Sequence, residues 1–191
     1  MANISIFGKG NMGNAIGGNF EAAGNKVTYV TKEKTVDELG EIVVFAVPYA
    51  AVAGILDTYR AQLSGKIVID ITNPVNFKTF DSLDVPADSS AAAEIAKELP
   101  DSSVIKAFNT TFAATLVTKK VADAHQTTVL FASDVQEAKD KFVAALDGSG
   151  LAFIDAGSLK RARELEAMGF LQIALAASEK ISWTGGFGIF H

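Results

Sequence analysis

The chain has 191 residues, room for one ordinary domain with a short appendage. Hydrophobic residues make up 49% and charged residues 20%, which excludes a disordered or fibrous chain. A net charge of −5, no cysteine and only two histidines disfavour nucleic acid and anionic membranes as partners, and they leave no material for disulfides, thiol nucleophiles or zinc and iron–sulfur sites.

The opening MANISIFGKG lacks the basic and long apolar regions of a signal peptide, and a cytoplasmic protein is expected. Asn3 to Phe7 reads as a buried strand. Asn11 to Ala23 follows as a helix with Met12, Ala15, Ile16, Phe20 and Ala23 on one face, stopped by Gly24 and Asn25. Lys26 to Val30 is a second strand and Glu41 to Val47 a third, ending at Pro48. Tyr49 to Leu63 reads as a helix, Lys66 to Ile71 as a fourth strand, and Thr72 to Ser89 as a loop rich in Asp, Ser and Pro. Ser90 to Leu99 is helical. Ser103 to Phe108 and Thr127 to Ala132 are strands separated by a helix from Thr111 to Val121. Val135 to Leu146 is a helix, Leu151 to Asp155 a last strand, and Leu159 to Trp183 the longest helical pattern.

Strands alternating with helices imply βαβ units: an α/β fold with a doubly wound, mostly parallel sheet. Residues 1–157 would form it, and 158–191 a helix and Gly-rich tail. That helix is apolar nearly all round from Ala167 to Ala177, too short to cross a bilayer, so it crosses the core or packs on a second subunit. His125 and His191 read as surface residues. Lys160, Arg161 and Arg163 read as a solvated helix face.

The first turn carries the chemistry. Gly8-Lys9-Gly10-Asn11-Met12-Gly13 is G-x-G-x-x-G between a strand and a helix. Gly8 permits the turn, Gly10 lets backbone approach a pyrophosphate, and Gly13 lets helix and strand pack closely. The helix N-terminus offers its free N–H groups to the phosphates. At the end of the second strand an NAD site wants a carboxylate, whereas this chain has Thr31, Lys32 and Lys34. A hydroxyl and two cations suit a 2′-phosphate, hence NADP(H). Glu33 could instead be the acid one position late, and the whole segment could be a solvated turn.

Three further loops leave C-terminal ends of strands, where such sheets bind ligands. They hold Ala46, Val47, Pro48 and Tyr49; then Asn73 and Pro74; then Asn109 and Thr110. These would line the nicotinamide half of the crevice, although each could be ordinary turn chemistry. No Ser/His/Asp set and no close carboxylate pair stands out. Hydride transfer between two bound rings needs no protein acid or base, so no catalytic residue is assigned.

Several segments together resemble the NADPH:coenzyme F-420 oxidoreductase family. They are the fingerprint, Val47-Pro48-Tyr49, Ser89-Ser90-Ala91-Ala92-Ala93-Glu94-Ile95, Lys106-Ala107-Phe108-Asn109-Thr110, Asp155-Ala156-Gly157 followed by Arg163 and Glu166, and Gly185-Gly186-Phe187-Gly188-Ile189. The Lys106–Thr110 stretch is also similar to the oxidoreductase domain of the membrane metalloreductases. The resemblance implies a Rossmann domain, a homodimer through the C-terminal helix, and NADPH on the Gly8–Gly13 turn with its 2′-phosphate at Thr31 and Lys32. It implies a small-molecule redox partner, coenzyme F-420 or a flavin, near Pro48, Asn109, Thr110 and the Gly-rich end. Two other readings compete. Asn19 and Gly24 downstream of the fingerprint look like a β-hydroxyacid dehydrogenase or imine reductase, and a non-enzymatic NADPH sensor would keep the phosphate cradle alone.

Overall fold

The structure is a computed structural model, and it describes residues 1–190. The expectation for His191 lies outside the described residues. In chain order the elements are β1 (Asn3–Phe7), α1 (Asn11–Ala22), β2 (Lys26–Val30), β3 (Ile42–Phe45), α2 (Val52–Leu63), β4 (Ile67–Asp70), α3 (Ala91–Glu98), β5 (Ser103–Ala107) and α4 (Ala113–Thr118). Then come β6 (Lys120–Val121), β7 (His125–Gln126), β8 (Thr128–Ala132), α5 (Gln136–Ala144), β9 (Ala152–Asp155) and α6 (Ala162–Ala177).

Seven strands form one sheet in the order β2-β1-β3-β4-β5-β8-β9, and β6 and β7 form a separate hairpin. The alternation of side chains along each strand divides the core between the two faces of the sheet. Ile4, Ile6, Ile42, Val44, Ile69 and Ile105 meet Ile16 and Phe20 of α1 and Phe142 of α5. Phe7, Val43, Phe45, Val68 and Val104 meet Leu56 and Leu63 of α2 and Ile95 of α3. A strand read by both faces is apolar at every position, as β3 is over all four of its buried residues.

Strands β1 to β5 pair in parallel, which brings the loops after β1, β3, β4 and β5 to one edge of the sheet. Strand β8 instead pairs antiparallel with β5, through Lys106 to Ala132 and Ala107 to Phe131, and β9 runs parallel to β8. The βαβ reading is therefore corrected at the step from β5 to β8 alone, while β8, α5 and β9 keep it. The connection after β5 contains only a six-residue helix and a two-stranded hairpin, which return the chain rather than carry it across a face.

Two helices are shorter than their apolar patterns suggest. Helix α4 stops at Thr118, where Lys119 takes a left-handed conformation with φ of 63°. Ala122 and Asp123, also left-handed, then turn the β6–β7 hairpin. Helix α6 begins after a 3-10 turn over Leu159–Arg161 and ends at Ala177 rather than reaching Trp183. Ser178 donates its hydroxyl to the Ala174 carbonyl at 2.8 Å, and Glu179 is left-handed. Helix α6 lies against α3. It buries Leu165, Glu166, Gly169 and Gln172 and leaves Leu171 54% exposed, so it is not apolar-buried all round. Among the described residues no helix is long and apolar enough to cross a membrane.

Candidate functional site

The loop from β1 into α1 shows which of its glycines the fold itself demands. Gly8 sits at φ +98°, and a Cβ there would run into the Ala46 carbonyl. A Cβ on Gly13 would run into the Gly8 carbonyl. Packing alone explains both. Gly10 differs: it has φ −79° and ψ −170°, an ordinary extended conformation, and a Cβ there would meet nothing within 4 Å. The fold has no use for its missing side chain, whereas a ligand approaching the backbone would.

Helix α1 begins with no side-chain cap and no acid in its first turn. The Asn14 amide is the first to bond back, to the Gly10 carbonyl at 2.9 Å. The N–H groups of residues 11–13 precede that bond and remain free for an anion. Asn14 pins the loop through its side-chain amide, which donates to the Lys9 carbonyl at 3.1 Å. The Lys9 ammonium stands 5.4 Å above the Tyr29 ring on β2.

Thr31 adjoins this loop, because the Gly8 N–H donates to the Val30 carbonyl at 3.0 Å. A tight turn follows, with the Thr31 N–H donating to the Lys34 carbonyl at 2.9 Å. Lys32, Glu33 and Lys34 are exposed around it. The Thr31 hydroxyl donates to a Glu33 carboxylate oxygen at 2.9 Å, and that bond holds the Glu33 carboxyl below its ordinary pKa. The corner is net cationic, with one carboxylate already seated on its hydroxyl.

The remaining candidates divide between two clefts with Asn73 as their common wall. A cleft of about 390 Å³ is lined by Asn11 and Met12 of α1, Ile71, Asn73 and Asn109 after β4 and β5, and Phe112, Ile173 and Trp183. The second, about 480 Å³, is lined by Pro48, Tyr49, Asn73 and Pro74, with Phe77 and Asp84 from the long loop. Burial pushes the Tyr49 hydroxyl above its ordinary pKa, with Glu94, Asp70 and Glu166 adding to the shift. Ala46 and Val47 back onto Gly8. Thr110 faces neither cleft. It is buried, its carbonyl accepts from Gln172 at 3.2 Å, and it borders a void of only about 10 Å³ with Gly185, Gly186 and Phe187. The Gly-rich end is thus packed on Gln172, whose Oε1 accepts from the Phe187 N–H at 3.0 Å. The residue after α6 that lines the 390 Å³ cleft beside α1 is Trp183.

Asn73 and Asn109 form the floor between the clefts. The Asn109 amide donates to Asn73 Oδ1 at 2.9 Å and to the Leu165 carbonyl at 2.8 Å, while Asn73 donates to the Asn109 carbonyl at 2.9 Å. Asn109 Oδ1 is buried and unpaired. Gly169 of α6 lies flush against this pair, and a Cβ there would stand 2.8 Å from the Asn109 carbonyl oxygen. Phe108, fully buried, joins β5 to this floor through a left-handed φ of 64°.

Sequence reasoning did not find the group beneath the floor. Lys106 on β5 is fully buried, with its ammonium 2.8 Å from Asp70 on β4 and 2.7 Å from Glu166 on α6. It also donates to the Thr72 carbonyl. Glu166 in turn accepts from the Ala91 N–H at 2.8 Å and the Ala92 N–H at 3.3 Å, at the start of α3. Burial raises the Glu166 pKa, opposed by Lys106. The signal was present as one charge near the end of each of two apolar strand runs, Lys66–Ile71 and Ser103–Phe108, which the sheet pairs directly as Asp70 and Lys106. Arg161 pairs with Glu164 at 3.6 Å on the surface.

Residues 20–74 match the family model described as NADP oxidoreductase coenzyme F420-dependent. Over 150 residues the chain is 29% identical to the F420-dependent NADP reductase of Methanocaldococcus jannaschii, covering 76% of this chain and 66% of that protein. Over 165 residues it is 29% identical to Metalloreductase STEAP3 of Rattus norvegicus, covering 86% of this chain and 31% of that one. The chain therefore spans just under two thirds of the first relative and under a third of the second. A crystal structure from Arthrobacter sp. FB24, described as an F420-dependent NADP reductase, superposes with a TM-score of 0.85 at 23% identity over all of both chains. An imine reductase from Bacillus cereus superposes at 0.64 with 16% identity, over 95% of this chain and 63% of that one. These likenesses carry the fold, a Rossmann-type α/β sheet.

Proposed function

We propose that this chain is an NADP(H)-dependent oxidoreductase akin to the coenzyme F-420-dependent NADP reductases it resembles, moving a hydride between NADPH and a second redox ring. The observation that carries this reading is Gly10. It is the one fingerprint glycine that the fold does not need, and it sits against the free amides of α1. Those amides and the α1 N-terminus would hold the diphosphate. Thr31, Lys32 and Lys34 would hold a 2′-phosphate, which must displace the Glu33 carboxylate from the Thr31 hydroxyl.

When bound, NADPH would supply a hydride, and a deazaflavin or flavin ring would take it up together with one proton from water. The chain's own work is positioning. Met12, Asn73 and Asn109 fix the walls of the cleft beside the loop, and the apolar side chains Ile71, Phe112 and Ile173 limit water there. No side chain is required to exchange a proton with the nucleotide. The partly exposed apolar face of α6, centred on Leu171, suits a second copy of the chain, so the protein would act as a homodimer in the cytoplasm.

Paired titrations test the nucleotide assignment. Thr31→Ala with Lys32→Ala weakens NADPH about tenfold or more by calorimetry, since each charged hydrogen bond is worth about 1.5–3 kcal/mol. NADH affinity changes little. Equal losses for both nucleotides would refute the 2′-phosphate corner. Turnover with a flavin or deazaflavin, against none with a cyclic imine, separates this reading from an imine reductase. Binding without turnover on either would mark a sensor.

A further inference from the structure

One wall of the 390 Å³ cleft is an aromatic pair that the fold uses on one side only. Phe112, at the start of α4, is 7% exposed. Trp183 lies against it with ring centroids 4.9 Å apart and planes tilted by 57°. Trp183 is itself 52% exposed, although indole is among the costlier groups to leave in water. It is not a loose tail residue. The Ser182 and Thr184 hydroxyls flanking it bond each other at 3.0 Å, the Gly185 N–H donates to the Ser182 carbonyl at 3.0 Å, and the Ala122 N–H from the β6–β7 turn donates to the Thr184 carbonyl at 2.8 Å. The backbone is thus fixed on both sides of a half-bare indole. The same cleft contains Asn11 and Met12 from the α1 first turn, and Asn109.

We propose that Trp183, backed by Phe112, is the platform on which the acceptor ring stacks, and so a positioning residue for the hydride transfer proposed above. A flat π-surface gains about 1–3 kcal/mol from stacking on an exposed aromatic ring, while an aliphatic imine gains far less. A cleft of this volume falls in the ordinary range for small-molecule sites. The platform also differs from the Gly-rich end, where Gly185, Gly186 and Phe187 enclose too little space for a ring. The proposal rests on the reading above, in which the nucleotide lies on the Gly8–Gly13 loop and reaches the Met12 side of the same cleft.

The single tryptophan gives a direct readout. FMN and 8-hydroxy-5-deazariboflavin are titrated into wild-type protein while Trp183 emission is followed. Binding of the same probes to Trp183→Ala and Trp183→Phe is followed by probe anisotropy, and NADPH affinity of all three proteins is measured by calorimetry. At least one probe quenches the emission. Trp183→Ala weakens that probe about tenfold or more and Trp183→Phe by about threefold or less, with NADPH affinity held within about twofold. Undiminished emission with both probes, or wild-type probe affinity in Trp183→Ala, overturns the platform. So does a parallel loss of NADPH and probe, which would make Trp183 a packing residue. Failure of the wild-type protein to bind NADPH is a separate outcome and overturns the nucleotide reading instead.

Discussion

Gly10 and Gly13 occupy the same short motif for different reasons, and substitutions separate them. Gly10→Val adds a side chain into open space on the ligand side. It abolishes NADPH binding in calorimetry while the thermal midpoint stays within about 2 °C of wild type, since a surface change with no clash costs within about 0.5 kcal/mol. Gly13→Ala drives a methyl into the Gly8 carbonyl and lowers the midpoint as well, because backbone on both sides must shift. Unchanged stability in Gly13→Ala would contradict the close helix–strand packing. The motif was legible because a strand, three glycines and a helix leave little choice of geometry. The seat of Glu33 on the Thr31 hydroxyl was less so, since only the Thr31–Lys34 turn brings those groups together. Trp183 was read as the end of a helix. Its place in the cleft depends on α6 ending at Ala177 and on a backbone bond to Thr184 from Ala122, 62 positions earlier in the chain.

At the scale of elements, the Asp70–Lys106–Glu166 group ties β4, β5, α3 and α6 at one point. Removing its cation leaves two carboxylates buried without compensation, so Lys106→Met costs about 3–5 kcal/mol in urea unfolding. A loss below about 1 kcal/mol would show the group to be dispensable. Glu166 also leaves a signature in pH. Burial raises its folded pKa above the ordinary 4.5, so between those two values the folded protein holds the proton that the unfolded chain releases. That contribution to stability is complete below about pH 4.5 and is lost as the pH rises through the folded value. Glu166→Gln removes this falling limb from the stability–pH curve, even though it also weakens the tie to Lys106. Unfolding measured from pH 4 to pH 8 decides it; an unchanged slope would place the titration elsewhere. The same region shows why sequence patterns misplace elements. Lys119, Ala122 and Asp123 all turn the chain with positive φ, and none is the glycine that usually announces such a turn. Their conformations follow from how the hairpin and tail pack. The apolar run of α6 gave its presence but not its end, because Ser178 and Glu179 stop it through local bonds that propensity does not foretell.

For the molecule as a whole, α6 is both the brace behind the cleft and the carrier of an unpaired apolar face. The Leu171 side chain is 54% exposed and contributes nothing visible to the core. For the proposed homodimer, Leu171→Asp would shift sedimentation velocity from dimer to monomer while leaving the thermal midpoint of the separate chain within about 2 °C. A wild-type protein that sediments as a monomer at micromolar concentration would remove the homodimer from the proposal. The parallel half of the sheet was readable from alternating patterns, whereas the reversal of β8 came from the shape of a connection and carried no periodic mark. Finally, β2 is the outermost strand on its side, bonded only to β1, and Thr31 to Lys34 hang from its free end. Residues there support no neighbour and bear almost no share of the core. On the proposed reading, the preference for one nucleotide over another would be held in the part of the protein most open to revision, and natural or laboratory selection could rewrite it while the central clefts and the stability of the scaffold stay as they are.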